Sequence, residues 1–215
     1  MALEAAKVTV MPGFTGRFLA MVAPNSSARS ERQVYLALAG SLPEGLAVGD
    51  YAVSAQDKTA LAVTKATSTA WGGTDLARLV RHCAGLTVGT VAGALPPASV
   101  GRCELAVPRQ FPDDTALFGA LLDERINAAW TSTADLAVPR GAVLLTDSRP
   151  ALLRADNVVP LYRRNELTEA QLLAVNQVAG VLDTESLVEM TRQVADGADP
   201  QVVAEAFLDE HPLGR

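Results

Sequence analysis

The stretch TALAVTKATSTAWGGTDLARLVRH, residues 59–82, decides the fold class. It opens with a compact apolar run, 59–64, that is typical of a buried strand. Thr74-Asp75 can then cap an amphipathic helix over Leu76–His82. Further strand-like runs lie at 86–91, 126–130, 142–145 and 158–162. Strands and helices therefore alternate along most of the chain, which predicts an α/β fold with mainly parallel sheets.

The N-terminal segment shows the same alternation. A short strand is predicted over 7–10, a turn at Met11-Pro12-Gly13, and a helix in the segment that begins at Phe14. Ser30 and Gln33 have the spacing of a capping box, so a second helix is predicted to begin there.

The C-terminal part of the chain contains helices only. They are predicted over 169–179, 184–195 and 200–210. Gly180 is expected to end the first, and Asp199-Pro200 supplies the third with a cap and a first-turn proline. Because their apolar faces need a partner, we expect these helices to pack on the lobe that the N-terminal segment begins.

Composition and charge limit the classes of function. The chain has 215 residues, is 49% hydrophobic and carries a net charge of -6. Because it has no basic stripe to neutralise phosphates, nucleic acid is disfavoured as a partner. No apolar run approaches the roughly 20 residues of a membrane helix. Cys83 and Cys103 leave two alternatives open, a disulfide made in an oxidising compartment or two buried thiols.

A search for catalytic groups finds little. The sequence has no Gly-rich phosphate loop, nucleophile elbow or paired-histidine helix. His82 and His211 both lie at predicted helix ends, where a cation favours the helix dipole. The carboxylate pairs at 113–114 and 123–124 stand where a helix cap or a solvated helix face is expected. We therefore predict that the protein is not an enzyme and uses no cofactor or metal.

Four motifs resemble one family in their order and spacing. They are MPGFTGR at 11–17, ALAVT at 60–64, AWTSTAD at 129–135 and NVVPLYR at 157–163. A helical tail over 176–208 is also similar. The set resembles the substrate-binding proteins for glycine betaine, choline and carnitine, above all the actinobacterial, ProX-like members. These proteins deliver osmoprotectants to ABC importers.

The resemblance implies a two-lobed, type II periplasmic-binding-protein-like α/β fold. Lobe 1 would comprise 1–56 and 154–215, and lobe 2 would comprise 57–153. A ligand would lie in the cleft between lobes that close by a hinge motion. The family pattern also implies that lobe 1 is incomplete at its N-terminus. It further implies an extracytoplasmic place at the cell envelope, a lipid anchor absent from this chain, and ABC importer permease subunits as partners.

The resemblance implies a ligand site as well. Phe14 and Trp130 stand where the family has cage aromatics, whose faces attract a quaternary ammonium. Arg102 lies in the loop where the family has an arginine for the ligand carboxylate. The implied ligand-binding residues are Phe14, Thr15, Arg17, Thr59, Arg102, Trp130, Thr131 and Asp156.

Three of these residues depart from the family pattern. Thr59 and Asp156 stand in place of cage tyrosines, and Arg17 adds a cation near the expected position of the ligand cation. The expected function is an importer's osmoprotectant-binding subunit, for glycine betaine, choline, carnitine or proline. The departures leave two alternatives, a binder of a bulkier or less cationic solute such as a polyol or aromatic compound, and a degenerate fragment that binds nothing.

Overall fold

The computed structural model describes residues 3, 5, 7–147 and 149–214. Its strands are β1 (Val10–Phe14), β2 (Leu46–Val48), β3 (Thr59–Thr64), β4 (Val88–Val91), β5 (Ser99–Val100), β6 (Cys103–Glu104), β7 (Arg109–Phe111), β8 (Ala128–Ser132), β9 (Ala142–Leu144) and β10 (Val158–Arg163). Its helices are α1 (Thr15–Val22), α2 (Glu31–Ser41), α3 (Lys65–Trp71), α4 (Leu76–Arg81), α5 (Asp114–Leu122), α6 (Glu169–Val181), α7 (Thr184–Ala195) and α8 (Pro200–Glu210).

The chain divides into two units. Unit 1 comprises Met1–Asp57 and Ala155–Arg215, and unit 2 comprises Lys58–Arg154. Each internal bound lies one residue from the bound that the family resemblance implies. Both units combine strands and helices, so each is built as an α/β layer around its own core.

The sheet of unit 1 is antiparallel, in the order β1-β10-β2. Strand β1 spans residues 11–13, so the turn predicted there is wrong. Pro12 lies opposite Pro160 in the register of β1 and β10, where neither residue has an amide hydrogen to donate. Strand β1 is an edge strand, where the missing hydrogen bonds of a proline are tolerated.

The core of unit 1 lies between this sheet and the first two helices. Its buried side chains include Leu19, Val34, Leu38 and Leu161. Helix α2 begins with the predicted capping box, in which Ser30 accepts the Gln33 amide hydrogen and the Gln33 side chain accepts that of Ser30. Helices α1 and α2 pack against each other over this core.

The three C-terminal helices belong to unit 1. They begin at the predicted residues, but α6 continues through Gly180, so the predicted end at that glycine is wrong. A helical glycine costs about 1 kcal/mol relative to alanine. That cost is offset by packing, because Leu182, just beyond α6, is buried against Ala52, Ala55 and Phe207. The same cluster confirms that these helices pack on the lobe that the N-terminal segment begins.

The main sheet of unit 2 is mixed, in the order β7-β4-β8-β3-β9. Strand β4 runs parallel to β7 and β8, whereas β3 runs antiparallel to β8 and β9. The prediction of mainly parallel sheets is therefore wrong in both units. A continuous apolar run is typical of a parallel strand that is covered on both faces. Strand β3 is an exception, because five of its six residues are buried and it pairs antiparallel with both of its neighbours.

A disulfide joins Cys83 and Cys103, with their Cα atoms 5.6 Å apart. It ties the chain just beyond α4 to strand β6, which forms a hairpin with β5. Of the two alternatives left open by the sequence, the structure has the disulfide. Disulfides persist mainly in oxidising compartments.

Candidate functional site

Unit 2 contains a cavity of about 310 Å³ at one edge of its main sheet. Strands β4 and β8 end there, and β3 begins there. In open α/β sheets this edge, beyond the carboxyl ends of parallel strands, is where ligands bind. The lining residues are Thr59, Thr90, Val91, Ala94, Leu95, Pro96, Asp114, Trp130, Thr131, Ser132 and Asp135.

Together with Thr90, Trp130 is one of the two buried residues of this lining. Its side chain is 4% exposed and packs with the apolar core that contains Leu61 and Val88. The indole Nε1 is buried and has no hydrogen-bond acceptor among the described residues. Buried indole N–H groups usually have a hydrogen-bond acceptor, so Trp130 is an exception to that pattern.

Two carboxylates line the same cavity. Asp114 is the first residue of α5, whose cap is the neighbouring Asp113. Asp135 accepts a short hydrogen bond from the Thr131 hydroxyl and another, of 2.8 Å, from the Ala137 amide. Burial raises the pKa of Asp114, and the negative charges of Asp135 and then Asp113 raise it further. The two carboxylates therefore repel each other across the cavity.

The charged residues of the described cavity lining are both acidic. Within the described part of the chain, no Lys or Arg lines the cavity, which has two carboxylates and several hydroxyls from Thr and Ser. Mutual repulsion and partial desolvation of two carboxylates are both relieved when a cation binds beside them. This arrangement can bind a small cationic or hydroxyl-bearing molecule.

A second group of predicted site residues lies in unit 1. The Arg17 guanidinium is 2.5 Å from an Asp57 carboxylate oxygen and 3.1 Å from one of Asp156. Its central carbon also lies 4.3 Å from the centre of the Phe14 ring, in a cation–π contact. One face of Phe14 is therefore occupied by a cation from the protein itself.

Asp156 has a structural role at the start of α1. Its Oδ1 accepts the amide hydrogens of Gly16, at 2.7 Å, and Arg17, at 3.0 Å. Phe14, at the N-cap position, has no side-chain oxygen for this purpose. Burial raises the pKa of Asp156 to about 6, although both amides and the Arg17 charge act to lower it. The carboxylate therefore replaces the missing cap of α1 from 140 positions along the chain.

Thr15 is buried, and its amide and its hydroxyl both form hydrogen bonds with Asn157. Its amide donates to the Asn157 carbonyl at 2.9 Å, and its hydroxyl accepts the Asn157 amide at 3.0 Å. The residue is 1% exposed. Its hydroxyl thus joins β1 and α1 to the start of β10.

Arg102 lies apart from the other predicted residues. It is exposed in the turn between β5 and β6, next to the disulfide-bonded Cys103, and it does not line the cavity. The structure thus brings Thr59, Trp130 and Thr131 together in unit 2. It brings Phe14, Thr15, Arg17 and Asp156 together in unit 1.

Asp114 and Asp135 were not among the predicted ligand-binding residues. The pair Asp113-Asp114 was assigned to a helix cap, and Asp113 does fill that role. The available signal was the second carboxylate, because a cap needs only one. Asp135 ends the AWTSTAD motif, which also contains the predicted site residues Trp130 and Thr131.

Among the described residues, no three His, Cys, Asp or Glu side chains cluster as a metal site. No helix within the same residues has the length and apolar composition that crossing a membrane requires.

Comparison with known proteins identifies the fold and a family resemblance. Residues 110–210 match the substrate binding domain of the ABC-type glycine betaine transport system. A solved glycine betaine/carnitine/choline ABC transporter protein superposes with a TM-score of 0.77 at 16% identity, over 98% of this chain and 81% of that one. YehZ from Escherichia coli, in its apo form, superposes with a TM-score of 0.71 at 19% identity, over 98% and 83%. No curated protein matches the sequence.

These comparisons confirm two predictions. The resemblance to substrate-binding proteins of glycine betaine transport is confirmed by the match over 110–210. The α/β fold of type II periplasmic-binding proteins is confirmed by the two superpositions. The matched family consists of transport proteins that bind substrates, not of enzymes.

Proposed function

We propose that this protein is the substrate-binding subunit of an ABC importer and that its ligand is an osmoprotectant of the glycine betaine, choline, carnitine or proline type. The observation that carries the proposal is the cavity of unit 2. It combines a buried indole, two carboxylates and hydroxyl groups at the sheet edge where α/β folds bind ligands.

The cavity has the chemistry that a small ammonium compound needs. Its volume, about 310 Å³, lies at the lower end of the roughly 300–1,000 Å³ of small-molecule sites. Trp130 offers apolar surface. Asp114 and Asp135 offer negative charge beside it. These two features suit a quaternary ammonium, because its methyl groups are apolar and its charge is positive.

The disulfide supports an extracytoplasmic place for this function. Cys83 and Cys103 are paired, and such a bond persists outside the reducing cytosol. A lipoprotein anchor and permease partners belong to the same proposal and rest on the family resemblance. A ligand held between two closing lobes likewise stays a prediction of the resemblance.

A second candidate function is the binding of a less cationic solute such as a polyol. The contact of Arg17 with Phe14 favours it, because one face of the ring that the resemblance assigns to the ligand cation is already covered. The hydroxyls of Thr59, Thr90 and Ser132 would suit the hydroxyl groups of such a ligand.

Calorimetric titration of the purified protein with glycine betaine, choline, carnitine, proline and sorbitol tests both candidates. Binding of one of the first four supports the proposal, and binding of sorbitol alone supports the second candidate. Absence of heat with all five, repeated at several temperatures, contradicts both.

Tryptophan fluorescence then locates the bound ligand. The chain has two tryptophans, and Trp71 lies outside the cavity, where its ring stacks on that of His82. The variant Trp71→Phe therefore leaves Trp130 as the single reporter, and Trp130→Phe is the matched control. We expect the ligand to change the emission of Trp71→Phe and to leave that of Trp130→Phe unchanged. The reverse pattern would exclude the cavity as the site.

A further inference from the structure

We infer that unit 1 has a binding site of its own, a cavity between its sheet and α6 that takes a neutral apolar molecule the size of a substituted benzene ring. The cavity has a volume of about 240 Å³ and shares no lining residue with the cavity of unit 2. The inference is therefore independent of the proposed function.

The sheet of unit 1 forms one wall of this cavity. Successive side chains of a strand point to opposite faces of the sheet. Val159 of β10 faces the core beneath α1 and α2, whereas Val158 and Pro160 line the cavity. Val10 and Pro12 of β1 line it as well. The face of the sheet that lies away from α1 and α2 is thus apolar along both strands.

Helix α6 forms the other wall and is attached to unit 1 at two places. Asn176 Oδ1 accepts the Asp50 amide hydrogen at 2.9 Å. Just beyond the helix end, Leu182 is buried and also lines the cavity. Between these two attachments, Val178 and Ala179 face the cavity, and each is only partly buried. The cavity is therefore bounded by a helix that is fixed on both sides of it.

The walls offer nothing to a polar ligand. The nine residues of the described lining are all Ala, Val, Leu or Pro. Pro12 and Pro160 lie opposite each other and have no amide hydrogen to donate. A buried water needs roughly two to four polar partners, and a charged ligand would lose its hydration without compensation. The chemistry of the lining therefore selects a neutral apolar molecule.

Size and access define the ligand further. An apolar cavity of about 150 Å³ in a protein can bind benzene. At about 240 Å³, the cavity of unit 1 has room for such a ring with a short alkyl chain. Strand β1 is an edge strand of the described sheet, and Val10 is 37% exposed. A ligand can therefore enter along this edge without unfolding the unit.

Thermal unfolding with n-propylbenzene tests the inference. This probe is a neutral ring with a short alkyl chain, and a ligand that binds only the folded state raises the melting temperature. Differential scanning calorimetry should show a rise of about 2–4 °C when the probe is present at about five times its dissociation constant.

Two leucine substitutions on α6 assign the effect to the cavity. Ala179→Leu places a larger side chain in the cavity and should abolish the rise. Ala174→Leu is the matched control, because Ala174 is exposed on the same helix and does not line the cavity. It should keep the rise. Methyl NMR spectra of the unsubstituted protein are a second measurement, in which the probe should shift the signals of Val10, Val158 and Val178.

The methyl spectra decide the outcome even if Ala179→Leu does not fold. Unshifted cavity methyl signals would overturn the inference, and so would a rise in melting temperature that Ala179→Leu retains in full. A melting temperature that rises with protein concentration and ignores the probe would show instead that a second copy covers the cavity, which also contradicts the inference. Failure of every osmoprotectant to bind would leave this site untouched, because the two cavities share no residue.

Discussion

Replacement of Asp156 by asparagine should remove a pH dependence from the stability of the fold. Burial raises the pKa of the Asp156 carboxyl from 3.8 to about 6 in the folded protein. An asparagine oxygen can still accept the amide hydrogens of Gly16 and Arg17, so Asp156→Asn keeps the cap of α1. It removes the titration and, with it, the charge that pairs with Arg17.

The direction of the effect follows from proton linkage. The folded state binds the Asp156 proton more tightly than the unfolded state, so the proton stabilises the fold at acidic pH. This contribution is fully present below pH 3.8 and is lost as the pH rises through about 6. A shift of about two pKa units corresponds to about 3 kcal/mol of free energy of unfolding. Between pH 4 and pH 7, the wild-type protein should therefore lose up to that amount relative to Asp156→Asn.

Urea denaturation followed by circular dichroism, at half-unit steps from pH 4 to pH 7.5, measures this difference. The control is Asp199→Asn, which makes the same change at the exposed cap of α8, where Asp199 accepts the Gln201 amide. A difference between wild type and Asp156→Asn that stays constant across the pH range would refute the argument. A difference of the opposite sign would show that Arg17 and the two amides outweigh burial.

Two further predictions concern stability. A Cβ atom at Gly16 would lie 2.5 Å from the Ala155 carbonyl oxygen and 2.9 Å from Asp156 Oδ1, so Gly16→Ala should lower the free energy of unfolding by roughly 1–3 kcal/mol. The matched Gly40→Ala, in α2 with no atom within 4 Å, should raise it by up to about 1 kcal/mol in the same urea assay, and equal effects would contradict the contact. Replacing both Cys83 and Cys103 by serine should cost about 3 kcal/mol and make the melting temperature insensitive to dithiothreitol, whereas an unchanged melting temperature would show that the bond adds no stability.

The sequence predicted those elements whose local signals agree with their packing. The starts of α2, α6 and α8 carry a cap that the structure uses, and a cap depends only on residues within one turn. Helix α3 was not predicted, because its threonines have low helix propensity. Thr64 nevertheless caps it, since its hydroxyl accepts the Thr67 amide hydrogen at 3.1 Å.

The direction of the strands and the contacts between residues far apart in the sequence could not be predicted, for a different reason. The parallel or antiparallel sense of β3 depends on β8 and β9, more than 60 residues away. Asp156 caps a helix that begins at Thr15, and no local pattern connects the two. Likewise, Asp114 reads as part of a helix start, and only the packing of α5 beside β8 places it in a cavity with Asp135.

The two departures from the family pattern in unit 1 explain each other. Taken singly, each of these residues is unfavourable for binding a cation. Arg17 has the same sign of charge as the ligand, and Asp156 stands in place of an aromatic side chain of the family. In the structure their side chains pair at 3.1 Å, and Arg17 also covers Phe14. The protein's own guanidinium therefore occupies one face of the ring to which the resemblance assigns the ligand cation.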